Sequence, residues 1–214
     1  MSGDASQSDE LLRRAAAGDR AALGKLLSHH RDRLRRMVAL RLDGRLHGRL
    51  DPSDVVQDVF LEATAHLAEY AREPRMTFFL WLRGITGNKL LELHRRHLGT
   101  RMRDASQEVA LYRGRLPATS SAALAAQLLG RETQPSEAAA RAERKFLLQE
   151  ALNGMDPIDR EVLALRHFEQ LSTAEAAAEL GITEAAAAKR YVRALKRLKQ
   201  ILQSRPGGLE GVRP

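Results

Sequence analysis

Between Leu171 and Thr183 the chain reads LSTAEAAAELGIT, a stretch that leaves the backbone few choices. Ser172 and Glu175 form an S-x-x-E pair in which each side chain satisfies the other residue's backbone N–H, so a helix starts at Ser172. Gly181 supplies the left-handed residue that stops it, Ile182 can turn inward, and Thr183 caps a second helix. A short helix, a tight turn and a further helix make the arrangement whose second helix enters the DNA major groove. That helix is strongly charged: residues 183–202 carry six Lys or Arg and one Glu, a local balance of +5. A helix that is only solvated would interleave acids at i,i+4 spacing. On a helical wheel Ala187, Tyr191, Ala194, Leu195, Leu198 and Leu202 gather as an apolar side, and Lys189, Arg190, Arg193, Lys196 and Arg197 as a basic one. Ala185 and Ala186 sit at the outward N-terminal end, where small side chains allow close approach to base edges.

The rest of the composition agrees with helices and with a polyanionic partner. Aromatics are 4% of the 214 residues while Ala and Leu dominate, which disfavours a β-rich fold. The net charge of +8 points to nucleic acid ahead of a membrane surface. Absence of cysteine excludes disulfides and thiolate metal sites. The polar, acidic start MSGDASQSDELL is no signal peptide, and no stretch approaches the ~18 apolar residues of a membrane span. A cytoplasmic location with no membrane partner is the expectation.

Charge also divides the chain. Residues 13–49 hold eleven basic residues against three acids, whereas residues 51–73 hold six acids against one arginine. Asp19 caps a helix with Leu23, Leu27, His30, Leu34 and Met37 on its apolar face, His30 as a packed histidine. Asp51 followed by Pro52 opens a helix through about Leu67. A third long helix follows Thr77, despite Gly84 and Gly87. From Gly99 to about Gln134 the periodicity loosens into Pro, Ser, Thr, Gly and Ala, as in a linker containing one short helix. Beyond Pro135 it returns, with Ser136 as cap and Phe146, Leu147, Ala151 and Leu152 as core positions. Asp156-Pro157 starts a helix with Ile158, Val162, Leu165 and Phe168 on one face. The expected fold is all-α: a helical domain over 1–98, a linker over 99–135, a helix-turn-helix domain over 136–204 and a tail over 205–214.

On the helix after Asp51, Val55, Val56, Val59, Phe60, Ala63 and Leu67 cover one arc, and Asp54, Gln57, Asp58, Leu61 and Glu62 the other. An acidic stripe with a leucine in its middle suits docking to a basic partner. Spacing alone also fits a solvated amphipathic helix.

Three segments, DPSDVVQDVFLEA, FFLWLRGITGNKLLELHRR and REVLALRHFEQLSTAEAAAELGITEAAAAKRYVRALKRL, together resemble a bacterial RNA polymerase sigma factor of the extracytoplasmic-function (ECF) type, in the sigma-70 family. The resemblance runs from Asp9 to Leu202. It implies a subunit, not an enzyme in itself, that binds core RNA polymerase, directs it to promoter DNA and helps to open the duplex. It implies that Asp54, Gln57, Asp58 and Leu61 grip the β′ coiled coil, with the β flap as a further contact. It implies that Trp81, Asn88, Arg95 and Arg96 meet and melt the −10 element, the first three falling on one stripe at i, i+7 and i+14. An aromatic ring and an amide suit unpaired bases, and arginine suits phosphate; spacing alone would equally make Trp81 a core residue. Ala185, Ala186, Lys189, Arg190, Arg193 and Arg197 would read the −35 element. The chain departs from the pattern at Glu92, usually Asp, and at Ala187 and Ala188, often β-branched and basic. An anti-sigma factor belongs among the partners the resemblance allows, and association with the nucleoid follows when polymerase is bound.

The alternative is a stand-alone helix-turn-helix regulator, which would need no acidic docking helix. A metal site at His94 and His97 is opposed by the arginines between them, and no phosphate loop or nucleophile elbow is present, so neither a metal nor a cofactor is expected.

Overall fold

The computed structural model describes residues 2–46, 48–98, 116–129 and 138–203, and over these it contains nine helices and no strand. The first four are α1 (Ser2–Ala16), α2 (Arg20–Arg41), α3 (Pro52–Arg72) and α4 (Phe78–Leu98). They are followed by α5 (Ser121–Leu128), α6 (Ala138–Asn153), α7 (Pro157–Leu163), α8 (Thr173–Leu180) and α9 (Glu184–Gln203). After α7 the chain widens into a π-helical turn over Ala164–Phe168.

Capping chemistry fixes most of the boundaries. Asp19 accepts from the amides of Ala21 and Ala22, and Asp51 from that of Ser53, ahead of Pro52. Asp156 does the same for Ile158. Around α8 the reciprocal Ser172–Glu175 box is formed, and Gly181 adopts φ 63°. The Thr183 hydroxyl accepts from the Ala186 amide at 3.2 Å. Only glycine takes that left-handed turn without strain. The glycines of α4 do not interrupt it, because Leu82, Ile85, Leu90 and Leu93 anchor the helix on the core.

Two apolar cores result. The first joins α1–α4 through Leu26, Leu34, Met37, Val56, Val59, Leu82 and Leu90. Within it His30 packs against the rings of Phe78 and Phe79, as a packed histidine should. The second joins α5, α6, α7 and α9 through Leu124, Leu148, Leu152, Leu163, Ala194 and Leu198. The cores also exchange residues: Leu165, Leu171 and Ala176 belong to the first, and Leu40 of α2 to the second.

Two expectations need correction. Phe146 is 61% exposed, and Leu148 takes the core position instead. Two residues apart on a helix lie about 160° apart on the wheel at ~100° per residue, so both cannot face inward. Residues 116–129, assigned by composition to the linker, place Leu116, Leu124, Ala125 and Leu129 in the cores, and Ser120 caps α5. Small side chains let α5 lie close against α6 and α2. Residues 99–115 and 130–135 of the expected linker, the Ser136 cap and the 205–214 tail lie outside the described residues. Among the described residues no helix is long and apolar enough to cross a membrane.

Candidate nucleic-acid interface and docking face

Burial divides α3 cleanly. Val55, Val56, Val59, Phe60, Ala63 and Leu67 are buried, while Asp54, Gln57, Asp58, Leu61 and Glu62 face solvent. Leu61 is 69% exposed, the most exposed of the large apolar side chains described. An apolar side chain held in water amid carboxylates contributes nothing to the fold and suits a partner. Asp58 lies 3.2 Å from the Lys89 ammonium of α4, which also reaches Glu92 at 3.7 Å. The acidic stripe and the middle of α4 are therefore joined through one lysine.

On α4, Asn88, Arg95 and Arg96 are exposed, with Arg96 paired to Glu92. Trp81 is half-buried. Its ring stacks on Tyr70 at 4.6 Å and lies 5.5 Å from Phe78, so one face is core and the other is left towards a groove with His66, Met76 and Ile85. His94 is buried, and its Nε2 accepts from the Asp43 amide at 3.2 Å. Burial lowers its pKa below the usual histidine value, which keeps it the neutral acceptor that this bond requires. His97, three residues on, is exposed, whereas His94 is buried and already accepts from the Asp43 amide.

Helix α9 departs from its wheel. Ala187, Ala194 and Leu198 are buried, but Leu195 is 39% exposed and Val192 is 49% exposed. Arg190 and Arg193 are not a free outward pair. Both converge on Asp159 in the first turn of α7, Arg190 Nη1 at 2.7 Å and Arg193 through Nε and Nη2 at 2.8 Å. Arg197 donates to the Gly154 carbonyl at 3.0 Å. Arg190 stands about 60° from the centre of the buried face at ~100° per residue, which makes it a boundary residue. Burial raises the Asp159 carboxyl, but the bonds from Arg193 and Arg190 outweigh this and hold it below the ordinary carboxylate value. The open side of α9 is an exposed groove of Ala188, Lys189, Val192, Arg193, Lys196, Arg197 and Gln200. Ala185 is exposed at its start, and Ala186 is half-buried. Sequence reasoning missed Ala188 and Val192 as surface residues, although centring the wheel on Ala194 brings them out. It also missed Asp159, for which no spacing signal exists 31 residues from Arg190.

Comparison with known proteins agrees with this layout. The family described as "Sigma-70, region 4" matches residues 145–198, covering most of α6 through α9. The chain is 32% identical to the RNA polymerase sigma factor NccH of Alcaligenes xylosoxydans xylosoxydans, over 94% of this chain and 97% of that protein. It is 30% identical to the ECF RNA polymerase sigma factor SigD of Mycobacterium tuberculosis, over 89% of this chain and 82% of the relative. Among solved structures it resembles CnrH in complex with the cytosolic domain of CnrY, with TM-score 0.54 and 25% identity, covering 94% of this chain and 99% of that one. With a helix-turn-helix matched by its family model and relatives at 30–32% identity matched over most of their length, the chain belongs to the ECF RNA polymerase sigma factors of the sigma-70 family.

Proposed function

We propose that this sigma factor meets core RNA polymerase through Asp54, Gln57, Asp58 and Leu61 of α3, and promoter DNA through α4 and α9. A sigma factor binds core polymerase and directs promoter-specific initiation. The observation that carries the assignment of faces is the Leu61 stripe: an exposed leucine ringed by carboxylates on a helix whose other side is fully packed. It also disfavours a stand-alone regulator, for which such a stripe has no use. The β′ coiled coil is the proposed contact for this stripe, and the β flap a second contact on the C-terminal body.

For the −10 element, Asn88, Arg95 and Arg96 supply polar and cationic groups along one exposed side of α4, with the open face of Trp81 at its start. An amide and a ring suit unstacked bases, and arginines suit phosphate. For the −35 element the reading face is Ala185, Ala188, Lys189 and Val192, flanked by Arg193 and Lys196. Small and apolar groups there suit thymine methyls, and the lysines suit phosphates. Arg190 then serves to seat the helix on α7, and Arg197 on the turn before it. No cofactor or metal is needed for any of these contacts. An anti-sigma factor is a further proposed partner, by analogy with CnrH, which is seen with the cytosolic domain of CnrY. Association with the nucleoid through polymerase is proposed as well.

The test is the double substitution Asp54→Ala with Asp58→Ala. Desolvated charges at a basic partner surface typically cost about 2–5 kcal/mol to truncate, whereas exposed changes alter folding stability by about 0.5 kcal/mol or less. Affinity for core polymerase and promoter-dependent transcription should collapse while circular dichroism and binding of the chain to a −35 duplex persist. Undiminished affinity for core polymerase would refute the docking role.

A further inference from the structure

Three of the five large apolar side chains that stand exposed among the described residues lie on two charged helices. They are Leu61 of α3, at 69%, and Val192 and Leu195 of α9, at 49% and 39%. Around Leu61 the solvent side of α3 carries Asp54, Asp58, Glu62 and Glu69, a row of acids about 22 Å long at ~1.5 Å per residue. Asp54 and Glu62 have no ion pair among the described residues, and Asp58 shares Lys89 with Glu92. Exposed Ala65, one turn on from Leu61, lets another helix come close. On α9, Val192 and Leu195 follow Ala188 along one flank. Exposed Lys189 and Lys196 lie beside them and Lys199 follows, all three without an ion pair among the described residues.

These two surfaces complement each other in charge, in apolar content and in length. Helix α3 has 21 residues and α9 has 20, so each is about 30 Å long at ~1.5 Å per residue. An acidic helix with an apolar stripe, laid on a basic helix with another, interleaves its apolar side chains and pairs its charges at the rim. DNA does not account for Leu195. A recognition helix gives its N-terminal residues to a groove only ~12 Å wide, and Leu195 stands about 16 Å along α9. Within one chain both faces point to solvent. The complement of each must come from another molecule, and a second copy of this chain carries it.

We propose that α3 of one copy docks on α9 of another, so that the free protein self-associates through a contact between two different faces. One helix laid on another buries less than the ~1,200 Å² of a standard interface, so the association is weak and reversible. The net charge of +8 also sets two copies against each other at long range. Complementarity of the two faces wins only at close range, within the Debye length of ~10 Å at 0.1 M salt. The contact covers the stripe assigned to core polymerase on one copy and the face assigned to the −35 duplex on the other, which holds surplus protein inactive. That consequence rests on the two assignments; the self-association does not.

Sedimentation velocity on the free full-length protein, over a concentration series, reads this directly. The average mass of the parent should rise with concentration at low salt and return to that of a monomer near 1 M salt, where the Debye length is ~3 Å. Two variants reverse one face each: Asp54→Lys with Glu62→Lys on α3, and Lys189→Glu with Lys196→Glu on α9. All four side chains are exposed, so helix content should persist in circular dichroism. Each variant alone should associate at least about tenfold more weakly than the parent, because like charges then face each other. An equal mixture of the two should associate again, since the intact α9 of the first meets the intact α3 of the second. If either variant does not fold, Leu61→Ser and Leu195→Ser take their places in the same design. A parent that stays monomeric at every concentration, or a mixture that associates no better than its components, would overturn the proposal. Neither polymerase nor DNA is present, so the outcome is separate from that of the docking and promoter assignments.

Discussion

Helices α3 and α9 are both amphipathic and both charged on one side, yet they leave different shares of that charge unengaged within the protein. Along α3 the acids at 54, 58 and 62 face solvent, and the only ion pair described among them is Asp58 with Lys89. Along α9 much of the positive charge is used within the domain, with Arg190 and Arg193 on Asp159 and Arg197 on a carbonyl. The difference has a simple cause. The acids of α3 lie opposite its buried arc, where only Lys89 of α4 reaches one of them, whereas Arg190 and Arg197 of α9 lie at the edge of the buried arc, close to the start of α7. Charge counted along a sequence is therefore not charge available to a ligand.

The sharpest way to break this comparison is at Asp159. Replacing it with Ala leaves half-buried Arg190 with only the more distant Asp156 carboxylate at 3.7 Å, and should destabilise the protein by about 1–3 kcal/mol in denaturant titration. Because the folded Asp159 value is depressed, its contribution is present above the unfolded value of 3.8 and is lost as pH falls through the folded one. The gap between parent and variant should accordingly close in acid. A variant as stable as the parent at neutral pH would mean that the two arginines are free after all.

A smaller effect separates reading from seating on α9. Lys189→Ala and Lys196→Ala should each flatten the salt dependence of binding to a −35 duplex by about one unit of slope, the signature of one lost phosphate contact. Arg190→Ala should lower stability and leave the slope nearly unchanged. Equal loss of slope at all three positions would restore Arg190 to the DNA face.

The smallest effect concerns the one tie on α3. The Asp58–Lys89 pair is exposed on its acidic side, and such pairs contribute about 0–1 kcal/mol. Lys89→Ala should leave thermal stability almost unchanged, and should raise affinity for core polymerase by no more than about fivefold, since Asp58 then has no partner to leave. A large loss of polymerase binding would instead make Lys89 part of the docking face.

How far the sequence could be read follows the range of the interactions. Caps at Asp19, Asp51, Asp156 and Ser172 and the stop at Gly181 act within four residues, so residue identity alone located these helix boundaries. The acidic stripe on α3 was legible for the same reason: its buried arc is a run of Val, Phe, Ala and Leu with a clear period. Legibility failed where a wheel had to be centred without knowing the neighbour. Phe146 and Leu195 are apolar but turned outward, and Leu148 and Ala194 define the true inward direction.

The chain by itself determined that it is helical, that it contains a basic helix-turn-helix, and that one helix bears an acidic stripe opposite its apolar arc. Tertiary structure alone decided which arginines are spent. Arg190 meets Asp159 across 31 positions, Arg83 meets Glu169 across 86 and Arg41 meets it across 128. Coulomb attraction acts through space and burial sharpens it, so pairs this distant in the chain leave no spacing for a sequence to display.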